Sequence, residues 1–153
     1  MIEIKAKDFF QPQELAEALF ACAQASYDHG SPWSVAQFVE DIKNEQSHYL
    51  LLVEEGIVGF LNYHHFLDEM EIFNLAIASE AKQKGYGRYL LTQLIQRAVE
   101  QEVSQILLEV RVSNQPARKL YENHGFEEIA QRKKYYRAPI EDAVIMLKKV
   151  RMD

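Results

Sequence analysis

Two glycines, one acid and one phenol are the residues of this chain whose types and spacing could do chemistry. Gly85 and Gly87 fall in Lys82-Gln83-Lys84-Gly85-Tyr86-Gly87-Arg88, just after the apolar run Leu75-Ala76-Ile77 and at the opening of a helical pattern. Glycine lets a backbone pass close to a ligand, and the free N–H groups and positive dipole end of a helix attract anions, so this is a phosphate-sized turn. An ordinary loop entering a helix fits the same two glycines, since such motifs recur by chance. Glu109 stands in Leu107-Leu108-Glu109-Val110, an acid inside an apolar strand, where burial is costly unless the group is paired. It could equally face solvent or pair with Arg111, two residues along on the same face. Tyr121 follows twelve residues later. Its phenol has one O–H to donate, or its ring packs as a helix aromatic on the sheet.

Positioning these groups requires a particular set of elements. Ile2 and Ile4 alternate with charged residues as a short strand, and Pro12 to Tyr27 carries Leu15, Ala18, Leu19 and Cys22 at helical spacing. Gly30-Ser31-Pro32 breaks the chain, and Ser34 can cap a second helix with Val35, Phe38, Val39 and Ile42 on one face. His48 to Val53, Ile57 to Tyr63 and Met70 to Ile77 are β-rich runs separated by short polar links, the pattern of an antiparallel meander. Gly87 to Gln101 reads as an amphipathic helix, Ile106 to Val112 as a strand, Pro116 to Asn123 as a helix, and Phe126 to Ile129 and Ala143 to Lys148 as two last strands. The predicted order is βααβββαβαββ: a mixed α/β sheet, mostly antiparallel, flanked by helices. The strands 70–77 and 106–112, joined by a crossover helix, form its one parallel pair.

Composition restricts the function classes. A chain of 153 residues fits one domain, 1–153, and 48% hydrophobic with 26% charged residues is a globular balance. Cys22 is the single cysteine, which excludes an internal disulfide and a cysteine-based metal cluster. No apolar run approaches the roughly 20 residues of a membrane span, and Met1-Ile2-Glu3-Ile4-Lys5 lacks the regions of a signal peptide, so a cytoplasmic protein without membrane contact is expected. The net charge of −6 disfavours nucleic acid as a direct ligand and favours approach by a basic peptide. Adjacent His64 and His65 point to opposite strand faces and have no evident third ligand, so no metal is expected. Trp33 and Tyr135-Tyr136 could line a peptide entrance, or belong to the core.

Beyond these readings, Pro32-Trp33-Ser34, Ile72-Phe73-Asn74-Leu75-Ala76-Ile77, Leu108-Glu109-Val110-Arg111-Val112-Ser113-Asn114, Leu120-Tyr121-Glu122, Gly125-Phe126, Arg132 with Tyr135-Tyr136 and Glu141-Asp142-Ala143 occur in one order along the chain. Together with the element order and the Gly85-Tyr86-Gly87 turn, the chain resembles the GCN5-related N-acetyltransferase (GNAT) superfamily over essentially its whole length. Within it, the chain is similar to the bacterial ribosomal-protein-alanine N-acetyltransferases. The resemblance implies acetyl transfer from acetyl-CoA to the N-terminal α-amino group of a basic small-subunit ribosomal protein, with no metal. It implies that the backbone of Leu75, Ala76 and Ile77 pairs with the pantetheine arm as an added strand, and that Gln83, Lys84, Gly85, Tyr86, Gly87 and Arg88 cradle the pyrophosphate. It further implies that Asn114 contacts the cofactor, that Glu109 is the general base, and that Tyr121 binds the cofactor and protonates the departing thiolate. Lys82 stands where the superfamily usually has Gln or Arg, keeping the charge without the planar fork, and Ala78-Ser79 replaces a frequent proline.

The chemistry fits an N-terminal acceptor. Its amine has a reference pKa of about 7.7 to 8.0 against about 10.4 for lysine, so roughly a tenth is neutral at pH 7. A carboxylate at about 4.3 accepts a proton better when burial raises its pKa or when it works through a water. The same fold could instead serve a small-molecule amine or a lysine side chain. A non-catalytic acyl-CoA sensor would keep the glycine turn but need neither Glu109 nor Tyr121.

Overall fold

The predicted order βααβββαβαββ is the order found in the computed structural model, which describes residues 2–151; residues 1, 152 and 153 of the expected domain lie outside the described residues. Strand β1 is Glu3–Lys5, followed by helices α1 (Pro12–Ser26) and α2 (Val35–Ile42). The meander is β2 (Ser47–Val53), β3 (Ile57–Phe66) and β4 (Glu69–Ile77). Helix α3 (Tyr86–Glu100), β5 (Gln105–Arg111), α4 (Gln115–Asn123), β6 (Glu127–Tyr136) and β7 (Glu141–Lys149) complete the chain. The sheet has seven strands in the order β1-β2-β3-β4-β5-β7-β6, and only β4 and β5 run parallel.

Alternation along the strands builds a core on each face. Leu50, Leu52, Leu61, Ile72, Ile106, Leu108 and Val144 meet Leu90, Leu91 and Leu94 of α3 and Tyr121 of α4. On the other face Tyr49, Leu51, Phe60 and Ala76 meet Leu15 and Leu19 of α1 and Phe38 of α2. That second core ends at β4, so over β5 and β7 the same face leaves Leu107, Glu109, Ile145 and Leu147 only half buried. This uncovered strip of sheet is the floor on which a substrate can lie.

Two features tie the meander to this floor. Helix α2 starts with a capping box in which the Gln37 N–H donates to Ser34 Oγ and the Ser34 N–H to Gln37 Oε1, worth about 1 kcal/mol. At its other end Asp41, 8% exposed, is buried as a carboxylate. It accepts from the Ser47 and Tyr49 hydroxyls at 2.5 Å and from Asn62 Nδ2 at 3.4 Å, while His64 Nε2 lies 2.6 Å from its other oxygen. Burying a charge is expensive, and this set of donors is what offsets the lost hydration. Burial and Asp41 together push the Tyr49 phenol far upward, so its hydroxyl remains a donor.

The second feature is a β-bulge. Asn62 pairs with Asn74 but Tyr63 with Ile72, so Phe73 is an extra residue in β4. The parallel ladder to β5 runs only from Glu69↔Gln105 to Ile72↔Leu108 and stops there. Beyond the bulge β4 and β5 part, and the upper half of β4 has an edge with no neighbouring strand.

Candidate active site

Residues of an antiparallel strand present their backbone groups alternately to one edge and the other. On β4 the Leu75 and Ile77 N–H groups face the open edge, and Ala76 turns its backbone to Phe60 of β3. Neither exposed donor is idle: Leu75 N–H donates to the Tyr27 hydroxyl at 3.0 Å and Ile77 N–H to Ser26 Oγ at 3.2 Å. Both hydroxyls come from the C-terminal end of α1. Burial pushes the Tyr27 phenol up to about 12, opposed by its bond from Leu75, so it stays protonated. Any strand-like ligand on this edge takes the place of these two hydroxyls. Cys22, on the same helix, is buried with its thiol pushed up to about 11 and its Sγ 3.9 Å from the Ala76 carbonyl, consistent with a packing role.

The glycine turn lies at the end of this edge. Gln83 and Gly85 both have left-handed backbones, with φ of 67° and 79°. Gly85 is the N-cap of α3 with no side chain capping it, and a Cβ placed there would meet nothing within 4 Å. The first-turn N–H groups of α3 therefore face an open approach suited to an anion. Lys84 and Arg88 are exposed beside it. Lys82 instead donates from Nζ to the Ser26 carbonyl at 3.2 Å, a cation at the C-terminal end of α1. Gly85→Ala is expected to cost about 1 kcal/mol through its left-handed φ and no clash, read as a fall of about 3 °C in thermal midpoint.

Glu109 rises from β5 on the uncovered floor. Arg111 is engaged elsewhere, with the Glu141 carboxylate at 3.1 Å and the carbonyls of Pro139 and Arg137 at 3.0 Å. Glu109 pairs instead with Arg132 of β6 at 3.2 Å. The Arg132 guanidinium also covers the ring of Tyr135, whose phenol is pushed up by partial burial and by the Glu109 carboxylate. Tyr135 is 46% exposed, at the β6 rim of the floor. At the opposite rim, half-buried Trp33 packs on Phe38 and Phe73, and Phe73 on the His64 ring at 4.3 Å. Trp33 and Tyr135, two of the three aromatic residues named from sequence, thus stand on opposite sides of the strip that holds Glu109.

Tyr121 is 6% exposed and packs edge-to-face on Phe126, and its hydroxyl makes no hydrogen bond among the described residues. Burial first, then the neighbouring Tyr27 and Tyr136, push its phenol far upward, so it holds its proton at any physiological pH. Asn114 caps α4, its Oδ1 accepting from the Ala117 N–H at 3.2 Å. His65 bonds the Leu67 carbonyl while His64 bonds Asp41, as opposite strand faces require. No group of three or more metal-ligating side chains is assembled among the described residues, and no helix there is long and apolar enough to cross a membrane.

The structure adds residues that the sequence reading did not select: Ser26 and Tyr27 on the β4 edge, Asp41, and Glu71; His64, weighed from sequence only as a metal ligand, is the partner of Asp41. Position 41 follows Phe38 by three residues on the inner face of α2, so an acid there was a visible signal of a buried network. Ser26 and Tyr27 close a helix as an ordinary polar end and carry no such signal.

The Acetyltransferase (GNAT) family matches residues 13–126. A [ribosomal protein bS18]-alanine N-acetyltransferase of Haemophilus ducreyi is 39% identical over 134 residues, covering 84% of this chain and 89% of that protein. The crystal structure of the ribosomal-protein-S18-alanine N-acetyltransferase from Escherichia coli superposes with a TM-score of 0.87 at 30% identity, covering 100% of this chain and 96% of that one. A NatC complex bound to Gag peptide and CoA shares the fold, with a TM-score of 0.79 at 20% identity over 98% of this chain and 99% of that one.

Proposed function

The chain belongs to the acetyltransferase (GNAT) family, and from that membership we propose that it acetylates the N-terminal α-amino group of an alanine on the small-subunit ribosomal protein bS18. The observation that carries this reading is the likeness, over 84% of this chain and 89% of that protein, to a relative named for that activity. A ribosomal-protein acceptor is basic, in keeping with the net charge of −6, and places the enzyme in the cytoplasm.

Acetyl-CoA, when bound, supplies the acetyl group as an activated thioester. Leu75 and Ile77 turn their N–H groups outward on the open part of β4, and they would hold the pantetheine arm once Tyr27 and Ser26 release them. A backbone N–H on this stretch of β4 that the arm leaves free would donate to the thioester carbonyl oxygen as negative charge develops on it. Gln83 to Arg88 hold the pyrophosphate through the uncapped start of α3. Asn114 orients α4 and meets the cofactor from its cap position. Glu109 accepts a proton from the attacking amine, and Tyr121, whose proton is not committed to another group, gives one to the leaving sulfur. Trp33 and Tyr135 flank the incoming peptide.

Tyr27→Phe tests the edge. Without its hydroxyl the Leu75 N–H loses a partner, costing the free protein about 1 kcal/mol, and a ligand that takes this donor regains it. Acetyl-CoA is expected to bind about fivefold tighter by calorimetry while the free protein melts lower; weaker binding would show that the Tyr27 hydroxyl itself holds the ligand.

The activity is tested by incubating acetyl-CoA with bS18 carrying a free N-terminal alanine and following release of the CoA thiol. Release that depends on the free N-terminus supports the assignment. Release with small amines but not with bS18 keeps the fold and overturns the acceptor.

A further inference from the structure

Acylation of an ammonium sheds two protons from nitrogen while the leaving sulfur regains one, and only Glu109 has so far been placed to receive them. A second carboxylate stands on the same floor. Glu71 of β4 pairs in register with Leu107 of β5, so Glu109 lies one same-face step beyond it. Glu109 is held by Arg132 at 3.2 Å, whereas Glu71 makes no hydrogen bond or ion pair among the described residues. Across the sheet Glu71 stands opposite His64, whose ring is fixed by Asp41 and Phe73.

We propose that Glu71 is a second proton acceptor for the reaction, working beside Glu109 on the attacking amine. This rests on the acetyltransferase reading above. The α-ammonium first gives a proton to a Glu71 carboxylate oxygen. Its nitrogen lone pair then forms the N–C bond to the thioester carbonyl, and the remaining surplus proton passes to Glu109. The C–S bond breaks with its electron pair on sulfur, which takes the Tyr121 proton; Tyr121 regains one from solvent, and one proton is released overall.

The surroundings suit this task. Half burial is the largest influence on Glu71 and raises its pKa. Glu109 from β5 and Glu69 on its own strand raise it further, against His64 from β3 and Arg132 from β6. Like charges in one cleft make a shared proton easier to hold, and a carboxylate without a bound cation is the better acceptor of the two. The Glu109–Arg132 pair fixes the geometry of one acid while Glu71 stays available.

The test is kcat/KM for an alanine-starting peptide against pH in Glu71→Gln, Glu71→Asp and wild type, with acetyl-CoA affinity measured alongside. Glu71→Gln is expected to lose roughly tenfold at pH 6.5 and to come within about twofold of wild type at pH 9, where an amine of pKa about 7.7 to 8.0 is already neutral. Glu71→Asp is expected to recover part of the loss, and acetyl-CoA affinity to stay unchanged in both. A loss equal at all pH values, or none at pH 6.5, overturns the role while wild-type activity leaves the acetyltransferase reading standing. A wild-type enzyme that fails to acetylate the peptide overturns the parent reading and this role with it.

Discussion

Glu109→Gln is expected to lower turnover about a hundredfold at pH 7 and to leave acetyl-CoA affinity unchanged. The substitution keeps the side chain's shape and removes its ability to accept a proton. Glu109 stands on β5 just beyond the last rung of the parallel ladder, where β4 parts from it and the acetyl group would enter. Glu71 lies one strand further along the floor, so it relieves the loss only in part. The freed Arg132 is half exposed and returns to water at little cost, since such surface pairs are worth about 1 kcal/mol or less. Folding should therefore survive, and steady-state kinetics with calorimetry separate chemistry from binding. Unchanged turnover would remove Glu109 as the base.

Asp41→Ala is expected to give the largest loss of stability, about 3 kcal/mol. Ser47, Tyr49 and Asn62 are all buried, and each loses its shared acceptor when the carboxylate goes. An unsatisfied buried donor costs about 1 to 3 kcal/mol, and removing a desolvated charge gives part of the sum back. For a chain of this size that is a fall of roughly 10 °C in thermal midpoint. Asp41→Asn, which keeps an accepting oxygen, should lose less. Equal melting of Asp41→Ala and wild type would mean that the network does not join α2 to the meander.

What could be read from the sequence follows from where burial writes a pattern. β5 alternates buried and half-buried residues, and the helices carry apolar residues at regular spacing, so order, parallel pairing and the place of Glu109 were legible. β6 was expected only over 126–129 but runs Glu127–Tyr136. It is an edge strand with nearly every residue exposed and with register breaks near Arg132, so no alternation marks it and its basic run reads as a loop. The bulge at Phe73 has no sequence signature, because one extra residue in an apolar run leaves composition untouched. That one residue switches the face, so that Met70 and Ile72 pack in the α3 core before it and Ala76 in the α1–α2 core after it, and the ladder to β5 ends at Ile72. The pairing of Leu75 and Ile77 with Tyr27 and Ser26 was equally hidden, since it joins chain positions 48 and 51 residues apart.

The most direct test of the central claim is mass spectrometric localisation of the acetyl group after incubation of the enzyme and acetyl-CoA with matched peptides. One begins with a free alanine, one is blocked at its N-terminus but keeps an internal lysine, and a small amine is run in parallel. Acetyl on the free α-amine alone is the expected result. Acetyl on the lysine or the small amine, with the free N-terminus untouched, would contradict the account.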